Sequence, residues 1–442
     1  MNRLKRLWNS LRDSFWFFPS LIVALSMVFA VSLIEVDATP GIEGWLALWP
    51  RVFGASAEGA RGMLSTIAGS MMTVVGVTFS MILVTLTLAS TQYTSRILRN
   101  FVRDRVTQVV LGLFASVFTF CLIVLRTIRG GDESGFVPSI AVTVAVFLAI
   151  GGIGVLIFFI HHIAIAIQAS SIMAAVAGET IAAVDRLFPD RLGDGMADQA
   201  AGGASRTVPA GPWQCVSASR SGYIQSLETA TLLRVAKERK TVIRMERGIG
   251  EFVVQDTPLV SLIGAEPPDE DVCEELRDAY GIDRHRTVEQ DAGFGIRQLV
   301  DMALRALSPG VNDTTTAVMC VDYLTAILAR LATRDIPSSH RHEDGELRVI
   351  AIGPTFASLV DESFDQIRES SDGNLAMMLQ LLGGLHTIGS LTGSKTRRQM
   401  LLDHAQGIAE QAERSLKSAR DHKRFRERHA WVRACLEGGD AA

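Results

Sequence analysis

Asp, Glu, Lys and Arg are absent from four long stretches of this 442-residue chain, residues 15–34, 64–89, 106–125 and 137–160. Each reaches the roughly 20 helical residues needed to cross a bilayer core. With no ionisable group inside them, a proton relay or charged carrier site at the midplane has no candidate. Cysteine is scarce: Cys121, Cys215, Cys273, Cys320 and Cys435 are scattered, odd in number and contain no C-x-x-C pair. A disulfide framework and a zinc ribbon are therefore not expected, and a reduced compartment is. P-loop, H-E-x-x-H and G-x-S-x-G patterns are missing, so no cofactor or catalytic motif is legible. Gly248-Ile249-Gly250 lacks the third glycine and following helix of a dinucleotide fingerprint. Excess positive charge is missing too. The formal net charge is -4, which argues against a nucleic-acid partner.

What is present is apolar. Hydrophobic residues make up 48% and mean hydropathy is +0.25, as for a membrane half joined to a polar half. The first run exceeds the about 7–15 apolar residues of a signal peptide, so it reads as a span. Arg3, Lys5, Arg6 and Arg12 precede it, and Arg96, Arg99, Arg103 and Arg105 separate the second and third runs. Glu35, Asp37, Glu43 and Glu58 dominate the first outer loop. The positive-inside rule then predicts a bacterial inner-membrane protein with both termini cytoplasmic.

The second run carries Thr66, Gly69, Ser70, Thr73, Gly76, Ser80, Thr87 and Thr91 at intervals that place them along one helical face. Two readings are open: close packing through small residues, or a pore lining in which hydroxyls replace ion hydration. A homo-oligomer within a lipid bilayer is expected. His161 and His162 end the fourth run. They read as interfacial histidines, with a pH sensor as the sharper alternative.

The expected fold is an α-helical membrane protein of four transmembrane helices with an α+β cytoplasmic domain, a small barrel- or sandwich-like β part plus a helical part. Residues 1–188 form the membrane domain with a helical extension. Residues 189–211, rich in Gly, Ala, Asp and Pro, read as a linker. Residues 212–265 alternate as short strands around a helix at 228–239, with turns at Gly222, Gly248, Gly250 and Asp256-Thr257-Pro258. Residues 266–442 read as mainly helical, with one strand at 348–352 and a single long helix at 396–435. His340, His342, Glu343 and Asp344 sit among polar neighbours and read as a solvated loop rather than a metal site.

Arg286, Gln290, Asp291, Arg297, Asp301, Arg305, Asn312 and Asp313 form the densest polar segment. Asp291 is placed to cap a helix at 292–307, and Ser308-Pro309-Gly310 to end it. Two readings are open here also: helix caps with tying arginines, or a site for an anionic ligand at a helix start.

The segments ASTQYTSRILRNFVRDRVTQVVLGLFASVFTFCLIVLRTIR, IFFIHHIAIAIQAS and RTVEQDAGFGIRQLVDMALRALSPGVNDTTTA resemble a family of bacterial predicted membrane proteins, domain-of-unknown-function family 2254. The resemblance runs from the first apolar run to about residue 391. Where the family pattern carries proline, this chain has Ser95 and Thr314. The resemblance implies fold and location, and no activity. Three function classes follow: an oligomeric channel for a small ion, favoured by the hydroxyl stripe; a membrane-anchored sensor or scaffold; and, weakest, a tethered enzyme.

Overall fold

The computed structural model describes residues 15–39, 56–92, 104–129, 136–188, 211–264 and 266–438. It divides into two compact units, Met1–Gln168 and Ala169–Ala442.

The first unit holds α1 (Phe17–Asp37), α2 (Ala57–Gln92), α3 (Arg105–Thr127) and α4 (Ser139–Ala166). These correspond to the four apolar runs: α2 and α3 extend past theirs at both ends, while α1 and α4 start two residues inside theirs and end beyond them. α3 is the hub and packs against the other three. Its Phe114, Phe120, Cys121 and Val124 are fully buried. Gly112 lets α1 approach: a Cβ there would lie 2.9 Å from the Pro19 Cα. α4 begins after Pro138, which offers no capping side chain. Its free N–H groups are capped from a distance instead, since Ile140 and Ala141 each donate to the Asp37 carboxylate at 3.0 Å. The outer faces of α1 and α4 stay apolar. Leu25, Val28, Phe147, Ile150 and Ile157 are each at least 60% exposed, as lipid-facing helices require and water-facing ones avoid.

The second unit opens with α5 (Ala169–Leu187). The sequence attaches this segment to the membrane domain. It instead packs on two later helices, because Ile172, Met173, Val176, Thr180 and Val184 make a buried stripe. The linker expected at 189–211 lies almost wholly outside the described residues.

Next come β1 (Trp213–Ser217), β2 (Gly222–Leu227), α6 (Thr229–Glu238), β3 (Ile243–Met245), β4 (Phe252–Val253), β5 (Pro258–Ile263), α7 (Glu270–Ala279) and β6 (Tyr280–Asp283). Then follow α8 (Ala292–Leu307), α9 (Thr314–Ala332), β7 (His340–Glu343), β8 (Glu346–Ile350), α10 (Phe356–Glu369), α11 (Leu375–Leu391), α12 (Lys395–Ser415) and α13 (Ala419–Leu436). Two sheets form, a five-stranded one in the order β1-β5-β3-β8-β7 and a three-stranded one in the order β4-β2-β6.

The β part is not closed at residue 265. β8 pairs parallel with β3, Ile243 opposite Val349, and α7 gives Val272, Leu276 and Ala279 to the same core. The four residues expected in a solvated loop form β7 and its hairpin turn. Asp344 (φ 54°) and Gly345 (φ 79°) are both left-handed, as a two-residue Asp-Gly hairpin demands. The long C-terminal helix is two, broken between Ser415 and Ala419.

A fifth helix, α9, is also long and apolar enough to cross a membrane. Its apolar face is covered by protein: Cys320, Val321, Leu324, Ile327, Leu328 and Leu331 are fully buried against α5, α8, α10 and α11.

Candidate functional site

α8 begins at a dense polar cluster. Asp291 caps it, accepting from the Phe294 N–H at 3.0 Å. The same carboxylate takes two bonds from Arg286, Nε at 2.8 Å and Nη2 at 3.1 Å. Asp291 is 8% exposed and Arg286 26%, so the bidentate pair is largely desolvated. The guanidinium also lies 5.2 Å from the Phe294 ring centre. One turn on, Arg297 pairs with Asp301 at 2.7 Å. Gln290 reaches the sheet, its Oε1 accepting from the Leu227 N–H at 2.9 Å.

Three glycines make room for this. Gly250 has φ +85°, and a Cβ there would stand 2.4 Å from an Asp291 oxygen. At Gly293 a Cβ would lie 3.1 Å from Glu362 Oε2, and at Gly295 1.9 Å from Thr180 Oγ1. The Asp291-Ala292-Gly293-Phe294-Gly295 string is thus a contact surface: α10 touches it at Gly293 and α5 at Gly295. Glu362 was invisible in the sequence, as it lies 69 residues from Gly293. Burial pushes its carboxyl above the ordinary glutamate range; Asp291 and Asp301 push the same way, against Arg286 and Arg297.

This shift has a signed consequence. A carboxyl whose folded pKa is raised holds its proton more tightly when folded, so stability falls as pH rises from the unfolded to the folded value. Glu362→Gln is expected to raise the melting temperature at neutral pH. The gain should vanish below the ordinary glutamate range, where both forms are neutral. Melting curves across pH check this; a gain that persists unchanged in acid would refute the electrostatic account.

The rest of the polar segment lies elsewhere. α8 has 16 residues, so its ends are about 24 Å apart. Arg286 and Asp291 are at one end, Asn312 and Asp313 beyond the other. Asn312 takes a left-handed turn, φ 50°. Asp313 caps α9 through the Thr316 N–H at 3.0 Å and the Thr316 hydroxyl at 2.5 Å. These bonds hold its carboxyl below the usual aspartate range. Arg305 sits on the last turn of α8 and is itself partnered. The structure therefore brings Arg286, Asp291, Arg297 and Asp301 together around Glu362, and separates them from Asn312 and Asp313.

In the first unit, Thr66, Gly69, Ser70, Thr73, Gly76, Ser80 and Thr87 are all exposed. Leu64, Ala68, Met71, Thr78, Ile82 and Thr85 are buried, about half a turn round the helix at 3.6 residues per turn. The small-residue face thus points away from α3. Thr66, Thr73 and Thr87 donate to their own helix, to the carbonyls of Gly62, Gly69 and Leu83. The side chain of Thr91 lies outside those described. His161 is exposed, whereas His162 Nε2 lies 2.9 Å from Asp104 Oδ2. Asp104 also caps α3 through the Val106 and Thr107 N–H groups. Burial acts to raise its carboxyl, but bonds from Thr107 and His162 outweigh that and hold it below the usual range. His162 thus ties the end of α4 to the start of α3.

An uncharacterised protein of Mycobacterium tuberculosis and one of Mycobacterium bovis are each 32% identical to this chain over 396 residues, covering 87% of it and 74% of the relative. No solved structure matches. The family model described as "Predicted membrane protein (DUF2254)" matches residues 12–387. With its apolar helices, exposed apolar faces and a match over most of its length, the chain belongs to the DUF2254 family of predicted membrane proteins.

Proposed function

We propose that this protein is an oligomeric permeation pathway of the bacterial inner membrane, in which α2 lines the contact between copies and the second unit is a cytoplasmic control domain. The observation that carries the reading is the exposed face of α2. Two glycines and five hydroxyl residues run along the side turned away from α3, and Gly69 and Gly76 have nothing within 4 Å of a built Cβ. Lipid gains nothing from such a face, whereas a second copy gains close backbone approach. The threonine donors are met within their own helix, and their oxygens remain able to accept from water or to meet a cation. The reading has four spans, α1–α4, with α9 left in the second unit because protein covers its apolar face. The arginines at 96, 99, 103 and 105 and those before α1 support cytoplasmic termini.

Leucine at Thr73 or Ser80 is expected to reduce both cross-linked oligomer and ion flux in liposomes. Leucine at Val75 or Ile82, on the α3 side, is expected to leave both nearly unchanged. Equal losses from the two faces would overturn the reading. A second reading, a membrane-anchored ligand sensor, is favoured by a cavity in the second unit lined by two arginines.

A further inference from the structure

That cavity, of about 410 Å³, lies where the segment after α9, the segment after β8 and the first turns of α10 and α12 meet. Arg341 and Arg397 line it, and among the described residues no carboxylate does. Arg397 is fixed: its Nη1 donates to the Ala332 and Arg334 carbonyls, each at 3.1 Å, and its guanidinium sits 4.8 Å from the Phe356 ring centre. Arg341 differs. It is only partly exposed, and its guanidinium has no hydrogen bond or ion pair among the described residues. Burial pulls its pKa below the usual arginine range, yet a guanidinium stays protonated in proteins. A half-buried guanidinium without a counter-charge is free to pair with an anion that enters the cavity. Arg286, Arg297 and Arg397, by contrast, are each bonded to a carboxylate or a carbonyl.

Two helix starts add to the field. In α10, Thr355 accepts from Ser358 through its side chain and from Leu359 through its carbonyl. The N–H groups of Phe356 and Ala357 are left without an intrahelical acceptor. α12 repeats this, Ser394 accepting from Arg397 and Arg398 and leaving Lys395 and Thr396. Phe356, Ala357 and Thr396 all line the cavity. Each helix start favours negative charge.

We propose that this cavity binds a small soluble phosphomonoester, its phosphate held by Arg341 and the two helix starts and its apolar body lying against Ile336, Pro337, Ile352 and Met400. Two guanidinium groups and two helix starts supply more positive potential than one carboxylate needs, and a dianionic phosphate matches it. The volume falls in the range of small-molecule sites, about 300–1,000 Å³, with room for a phosphate and a ring or short chain. The inference stands whether or not the first unit conducts.

The test uses the full chain in detergent and phosphate-free buffer, with phenyl phosphate as probe in calorimetry and melting assays. Phenyl phosphate is expected to bind saturably and raise the melting temperature, with inorganic phosphate weaker and phenol inert. Arg341→Gln should weaken binding at least about tenfold, as loss of a charge-assisted contact does, without lowering the melting temperature of the unliganded protein. Ala357→Trp, which fills the cavity and leaves both arginines, should abolish binding and carries the test if Arg341→Gln fails to fold. Absence of binding to folded wild type, or equal binding by wild type and both variants, would overturn the proposal. So would binding of phosphatidic acid in nanodiscs with none of phenyl phosphate, which would assign the cavity to a lipid headgroup.

Discussion

Asp291→Ala is expected to cost about 4 kcal/mol and to lower the melting temperature by roughly 8–16 °C. The side chain performs two tasks at once. It accepts two bonds from Arg286 and one from the Phe294 N–H. Removing one partner of a buried pair costs about 3–5 kcal/mol, because the remaining charge is left desolvated. Arg286 keeps 26% of its side-chain exposure, which places the expected cost at the low end. Loss of the cap adds roughly 1 kcal/mol. Asp291→Asn retains an acceptor for Phe294 and should cost about half as much. Thermal melts of both variants check this. A change of under a degree in Asp291→Ala would show that the cluster does not hold the second unit together, and would return it to consideration as a ligand site.

Gly295→Ala should be nearly as damaging, about 2–3 kcal/mol or more. Its new methyl would fall 1.9 Å from Thr180 Oγ1, and Thr180 is fully buried. Neither side yields cheaply: Thr180 Oγ1 is bonded to the Val176 carbonyl at 2.6 Å, and both residues lie within helices. α5 and α8 must therefore separate. Thr180→Ala alone should cost about 1 kcal/mol for the lost hydroxyl bond. The double variant should be less damaged than the sum of the singles by at least about 1 kcal/mol, the coupling expected of residues in direct contact. Additive losses would show that the close crossing at Gly295 is not what makes glycine necessary.

Much of the local structure was legible before any contact was known. The four charge-free runs correspond to α1–α4 within several residues, because hydrocarbon thickness sets a length that composition alone reveals. Asp291 was expected to cap a helix at 292–307 and does so over Ala292–Leu307, since a cap needs only a few neighbouring residues. The first five short strands were legible from alternation and turn residues. β7 was missed although Asp344-Gly345 is a hairpin signal, because the dense polar residues around it read as a solvated loop.

Periodicity, caps and charge bias act over a few residues, so the sequence by itself determined which segments are helices or strands and which runs are apolar enough to span a bilayer. Tertiary structure decided the rest. It set β8 beside β3, about a hundred residues earlier in the chain, and sent Asp37 to cap α4. It brought Glu362 and Thr180 to two glycines of one motif. It also left Arg341 lining a cavity with no hydrogen-bond or ion-pair partner among the described residues. No local pattern encodes these, because each depends on which distant side chain arrives once the core has closed, and a charge reads the same in sequence whether its partner is present or absent.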